Sequence, residues 1–160
     1  MKLRIVTVSS RAPQWIQQGY DEYARRMPRA FGLDLVEVKP EVRPAGIPSL
    51  KTIQKIKESE AARIRTHLDG YDWVVALDEQ GASCSTKDLV ACLQRWQSDG
   101  RNAAFVIGGA DGLDEALLRQ SQQQLSLSAM TLPHQLVRVM LAEQLYRAAS
   151  ILDNHPYHRG

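Results

Sequence analysis

The residues best equipped for chemistry fall in three stretches. The run Asn154-His155-Pro156-Tyr157-His158-Arg159 clusters two imidazoles, a phenol and a guanidinium, groups that stack on bases and bond phosphates as RNA recognition requires. With nothing else known, a disordered terminus is the plainer reading of such an end. His155 and His158 could begin a metal site, but only Asp153 stands near them to complete it, so no metal is expected. Upstream, Glu143 and Arg147 have the i,i+4 spacing of an ion pair, which taken alone reads as structural. Glycines at 108, 109 and 112 permit positive φ and close approach of a ligand to the backbone. They follow neither the GxGxxG order of a dinucleotide fingerprint nor the GxxxxGK[ST] of a phosphate loop, so a plain tight turn explains them equally well. Finally, Ser126, Ser128 and Thr131 interleave with Leu125, Leu127, Met130 and Leu132. Apolar walls with accessible backbone donors and acceptors suit an adenine ring; a strand leading to a helix entry at Pro133 suits the same residues.

These stretches need elements to position them. Leu3, Ile5, Val6 and Val8 form a β-rich run, and Ile16, Tyr20, Tyr23 and Met27 recur at helical spacing. Leu33, Leu35, Val36 and Val38 predict a second strand, followed by a loop marked by Pro40, Pro44, Gly46 and Pro48. Residues 49–68 read as an amphipathic helix whose charged face either touches RNA or is solvated, with internal ion pairs around Lys57, Glu58 and Glu60. The apolar run 73–77 predicts a strand covered on both faces, ending before a turn at Gln80-Gly81. Ser85 with Asp88 caps the next helix, residues 103–107 form another strand, Asp114 caps a short helix, and 125–127 make a fifth strand. A last helix over 136–152 is apolar on two sides, which implies burial either within the domain or against a second chain and leaves a dimer open. Strands alternating with helices predict an α/β fold with a mostly parallel sheet, and ligands then gather at the carboxyl ends of the strands. Leu77-Asp78-Glu79, the glycine stretch and residues 127–134 are three such ends.

The chain of 160 residues, 44% hydrophobic and 24% charged, has the size and composition of one globular domain spanning 1–160. Its apolar runs are far shorter than the roughly 20 residues that cross a bilayer. Met1-Lys2-Leu3-Arg4 leads straight into a strand, without a signal-peptide pattern, so a cytoplasmic location and no membrane partner are expected. Cys84 and Cys92 match neither a CxxC pair nor a zinc pattern. A net charge of +2 is too small to predict nucleic-acid binding by itself.

Taken together, Val106-Ile107-Gly108-Gly109-x-x-Gly112-Leu113, Leu125-Ser126-Leu127-Ser128-x-Met130-Thr131-Leu132-Pro133-His134, Val137-Arg138-Val139, Glu143-Gln144-Leu145-Tyr146-Arg147-Ala148 and His155-Pro156-Tyr157-His158 resemble the bacterial 23S ribosomal RNA pseudouridine N3-methyltransferase family, of the SPOUT class. The resemblance covers the whole chain. It implies helices on both faces of the sheet, a C-terminal trefoil knot, which ordinary topology rules disfavour, and S-adenosyl-L-methionine as cofactor. It also implies a homodimer sharing its functional site and 23S ribosomal RNA, on the assembled ribosome, as substrate. Cofactor contacts are expected at Leu77, Gly108, Leu127, Ser128, Ala129, Met130, Thr131 and Leu132, and RNA contacts at Arg138, Tyr157, His158 and Arg159. His158 or Glu143 would help the base nitrogen lose its proton, with Arg147 orienting Glu143. One departure stands out: the family commonly has Gly after the first strand, where this chain has Ser9-Ser10-Arg11. The alternatives are a ribosome-associated RNA-binding module without catalysis and a methyltransferase of the same class acting on transfer RNA.

Overall fold

The computed structural model describes residues 1–154 and Tyr157. Five strands and five helices alternate: β1 (Lys2–Val8), α1 (Gln14–Ala24), β2 (Gly32–Val38), α2 (Leu50–Arg65), β3 (Trp73–Ser83), α3 (Thr86–Ser98), β4 (Ala103–Ile107), α4 (Glu115–Gln120), β5 (Gln123–Ser126) and α5 (His134–Leu152). All strand pairs are parallel, in the order β2-β1-β4-β3-β5. The α/β expectation is met.

Strand pleating explains the layers, because alternate side chains point to opposite faces. Leu3, Ile5, Val75, Phe105 and Ile107 join one apolar cluster with Tyr20 of α1, Leu93 and Trp96 of α3, and Leu141 and Leu145 of α5. Val6, Val8, Ala76 and Val106 join a second cluster with Ala61 and Ile64 of α2 and Leu117 of α4. Every residue of β4 is buried, as a central strand covered on both faces requires.

Several local expectations change. The α1 helix stops at Ala24, so Met27 lies beyond it and packs on the core from the following turn. The α5 helix starts two residues earlier than its apolar stripe suggests, at His134, directly after Pro133. Ser85 caps α3 as expected: its side chain accepts from the Asp88 backbone N–H while Asp88 accepts from the Ser85 N–H, a complete capping box. Asp114 occupies the N-cap position of α4, but its carboxylate accepts from Gln54 Nε2 of α2 at 2.9 Å instead of capping. On α2 the expected ion pairs around Lys57, Glu58 and Glu60 are replaced by a different arrangement. Glu58 accepts from Gln54 Nε2, and Glu60 is only 5% exposed, turned toward the sheet.

The largest surprise is β3. The turn expected at Gln80-Gly81 is an excursion inside a longer strand: Leu77 pairs with Leu125, residues 78–81 leave the ladder, and Ala82 pairs with the same Leu125. Such an irregularity re-aims side chains at a strand end. A Cβ on Gly81 would sit 2.8 Å from the Gln124 and Leu125 backbone, so only glycine permits this crossing.

Candidate cofactor groove and the helix cluster beside it

The carboxyl ends of β3, β4 and β5 converge on a groove of about 500 Å³. Its apolar walls include Leu77, Ile107, Leu125, Leu127, Leu132 and Val137. The glycine stretch forms one side. Gly112 has φ +81°, and its N–H donates to the Gly109 carbonyl at 3.1 Å, closing a tight turn. A Cβ on Gly108 would lie 2.6 Å from the Gly112 carbonyl carbon and 2.9 Å from the Leu113 nitrogen, so the turn closes only over a glycine. Sequence spacing left a plain tight turn and a ligand loop equally open; the stretch is both a tight turn and a groove wall.

The opposite side is residues 126–132. Ser126 Oγ donates to the Ser128 carbonyl at 2.9 Å, and Ser128 Oγ accepts from the Met130 N–H at 2.9 Å. These side-chain bonds fix an irregular backbone that has left the β ladder. Of the eight positions expected to contact a cofactor, Leu77, Gly108, Leu127, Ser128, Met130, Thr131 and Leu132 line the groove; Ala129 does not.

Charge at the groove was not foreseen. Asp78, Glu79 and Asp111 line it, as does His134 at the start of α5. The His134 imidazole titrates below its ordinary range, mainly because it is partly buried and secondly because Arg138 is near. Asp111 is paired with Arg43, which leaves the Asp78 and Glu79 carboxylates beside an imidazole disfavoured from taking up a proton, and these suit a ligand with positive charge. The sequence signal for the carboxylates was their place just after strand ends.

A second cluster sits farther along α5. Glu143 Oε1 accepts from Arg147 Nη2 at 2.7 Å, Arg147 Nε at 2.9 Å and the Tyr157 hydroxyl at 3.2 Å, while Oε2 accepts from Gln144 Nε2 at 2.7 Å. The Tyr157 ring lies 4.4 Å from the Tyr146 ring, and the Arg147 guanidinium lies 5.0 Å from the Tyr157 ring centre. Burial, then the neighbouring Glu143 charge, pushes the Tyr157 phenol up to about 12, so it keeps its proton throughout the neutral range. The bond to Glu143 raises the Arg147 guanidinium still further.

None of Glu143, Arg147 and Tyr157 lines the groove. Val137, the last α5 residue on the groove, precedes Glu143 by six positions, about 9 Å along the helix axis. Arg138 corrects an expectation more directly. It is 1% exposed, with Nη1 3.1 Å from Glu37 Oε2 and with Nε and Nη2 lacking partners among the described residues. An outward-facing RNA contact does not fit that placement, because the side chain points into the junction of α5, α1 and β2, where Tyr20 also sits. His158 and Arg159, and with them His155, lie outside the described residues.

Among the described residues no group of three or more His, Cys, Asp or Glu side chains could hold a metal ion. No helix among them is long and apolar enough to cross a membrane. Cys84 and Cys92 are free thiols, and burial pushes Cys84 up to about 11, with Cys92 and Asp88 adding smaller effects.

Two proteins called "Ribosomal RNA large subunit methyltransferase H", from Burkholderia thailandensis and Burkholderia mallei, are each 51% identical over 159 residues, covering 99% of this chain and 99% of their own. Among solved structures, a "probable methyltransferase" from Bordetella pertussis Tohama I superposes with a TM-score of 0.61 at 16% identity, covering 92% of this chain and 95% of that one. A "probable methylase family protein" from Haemophilus influenzae Rd KW20 superposes with a TM-score of 0.54 at 14% identity, covering 97% and 69%. At such identities these two structures speak to the fold alone. The family model described as "Predicted SPOUT methyltransferase" matches residues 1–158, and the chain belongs to that family.

Proposed function

We propose that this chain transfers the methyl group of S-adenosyl-L-methionine to N3 of a pseudouridine in 23S ribosomal RNA, acting in the cytoplasm on the assembled ribosome. The observation that carries the reading is the groove at the ends of β3, β4 and β5, where a glycine-only turn faces the apolar segment 125–132. Its residues fit the cofactor. Leu77, Leu127 and Leu132 offer apolar surface for an adenine ring, with Ser128, Met130 and Thr131 on the same wall. The carboxylates of Asp78 and Glu79 suit a cation, Asp111 being paired with Arg43. When bound, S-adenosylmethionine supplies an activated methyl on a sulfonium, so the protein's task is to align the base nitrogen and help it lose a proton.

Glu143 is already engaged by four hydrogen bonds. We therefore assign it the anchoring of Arg147 and Tyr157, and assign proton removal to His158. Tyr157, His158 and Arg159 are the RNA-facing groups. Arg138, paired with Glu37 inside the fold, supports the start of α5 from within. Because the groove and the Glu143 cluster stand apart on one chain, the complete site is formed by two chains of a homodimer, each lending its α5 end to the other's groove. The C-terminal part forms a trefoil knot that holds the groove loops together, and residues 1–160 constitute one domain.

Deleting the gene and probing ribosomal RNA by mass spectrometry tests the reading. A methyl on pseudouridine should disappear and return on adding back intact protein, but not protein lacking residues 157–160. Unchanged RNA in the deletion strain would overturn the assignment, and purified protein that does not bind S-adenosylmethionine would favour a non-catalytic RNA-binding module.

A further inference from the structure

Glu60 occupies an unusual position for a carboxylate. It lies on α2, outside the groove, yet is only 5% exposed. Its Oε2 accepts the Glu41 backbone N–H at 3.0 Å, while Oε1 has no hydrogen-bond partner among the described residues. That free oxygen faces the glycine turn: a Cβ built on Gly109 would meet Glu60 Oε1 at 3.4 Å and Val8 Cγ1 at 3.0 Å. The turn that walls the groove is thus backed by a β1 valine and an α2 carboxyl.

The same turn is held from outside. Arg43, in the segment between β2 and α2, bonds Asp111 at 2.9 Å, and Arg63 of α2 pairs with Glu41 and donates to the Lys39 carbonyl. One continuous stretch, residues 39–63, therefore grips the glycine turn on two sides, through Arg43 at its rim and Glu60 behind it.

We propose that Glu60 is a positioning residue for the cofactor groove, its buried carboxyl bracing the Gly108–Gly112 turn against the 39–43 segment so that the groove wall is fixed before the cofactor enters. The role rests on the cofactor assignment given above. It uses hydrogen bonding and bulk, not charge. The titratable and charged groups around Glu60 are Asp111 from the glycine turn, Glu41 from the preceding segment and Arg63 from its own helix. Burial raises the carboxyl above its ordinary range; the Glu41 N–H opposes this, Asp111 adds to it, Arg63 opposes it, and Glu41's own charge adds a last small increment. A group raised in the fold contributes stability that is complete below its unfolded value and is lost as pH rises through its folded value.

The test measures S-adenosylmethionine affinity by calorimetry on the full-length protein across pH 5 to 9, for wild type, Glu60→Gln and Glu60→Ala, with thermal melting alongside. Glu60→Gln keeps a neutral, hydrogen-bonding side chain of the same size. It should bind at least as tightly as wild type. Glu60→Ala should bind about tenfold more weakly, the scale expected when a supporting residue is removed. If Glu60→Ala does not fold, Glu60→Met, which keeps the bulk and loses the bond from the Glu41 N–H, takes its place and should also bind more weakly than Glu60→Gln. Undiminished affinity in Glu60→Ala or Glu60→Met would overturn the proposal while leaving the cofactor assignment intact. No binding by wild type at any pH would instead remove the assignment on which the proposal rests.

Discussion

Gly108 is a residue whose side chain is fixed by what cannot be there. Its missing Cβ leaves room for the Gly112 carbonyl 2.6 Å away, so Gly108→Val must push the turn open or fail to close it. Overpacking of this kind costs about 1–3 kcal/mol, and the displaced wall takes the groove with it. Calorimetry should show S-adenosylmethionine binding weakened by at least about fivefold, since 1.4 kcal/mol is one decade; undiminished affinity would detach this turn from the cofactor. The glycines themselves were visible in the sequence, but not their use, because spacing records which residues are small and not what approaches them.

His134 makes a different kind of point. Its imidazole was read only as part of a motif; the burial that chiefly shifts it comes from the groove around it, and the smaller effect from the charge of Arg138, one helical turn on in α5. With its folded value depressed, the stability it contributes is present above the unfolded value near 6.5 and is lost as pH falls through the folded one. An NMR titration of the imidazole should place its midpoint below 6.5; a midpoint at or above that figure would remove the argument that His134 meets the ligand uncharged. Arg138 shows the opposite failure, for a cation in a recognisable motif suggested an exposed role, whereas burial at 1% and the Glu37 pair are long-range facts that one-dimensional pattern cannot carry.

At the scale of elements, legibility follows how local the determining interaction is. The α3 capping box is written in four consecutive residues, and Ser85 with Asp88 was readable without the fold. Replacing Ser85 by Ala should therefore lower stability by about 1 kcal/mol, typical for loss of a cap, without altering cofactor affinity; urea melts and calorimetry on the same variant separate the two. Asp114 has the same apparent signature but gives its carboxylate to Gln54, sixty residues away, and α2 and α4 are joined in consequence. The β3 strand was half legible. Its apolar run 73–77 announced a central strand, but the return of Ala82 to the Leu125 position depends on β5 lying alongside, and Gln80-Gly81 resembled an ordinary turn. That excursion places Asp78 and Glu79 on the groove, so the element hardest to read locally supplies part of the site's charge.

At the scale of the molecule, the separation between the groove and the Glu143 cluster sets the strongest demand on the functional reading. A closed two-chain arrangement in which each α5 end serves the other chain's groove has a definite arithmetic. Consider one variant with a ruined groove, Gly108→Val, and another with a ruined cluster, Arg147→Ala, which loses the two bonds to Glu143 and the contact with the Tyr157 ring. Each alone should have little methyltransferase activity. In a mixed dimer one groove is intact and receives the intact cluster of its neighbour, while the other position carries both defects. Random pairing makes half the dimers mixed, and half their sites are competent, so co-expression should restore about a quarter of wild-type activity. If groove and cluster had to belong to one chain, every site would keep a defect and co-expression would restore nothing. The measurement is methyl transfer to ribosomes lacking the modification, with each variant and the mixture assayed at equal total protein. A mixture no more active than its components would place groove and cluster on the same chain and overturn the shared-site arrangement.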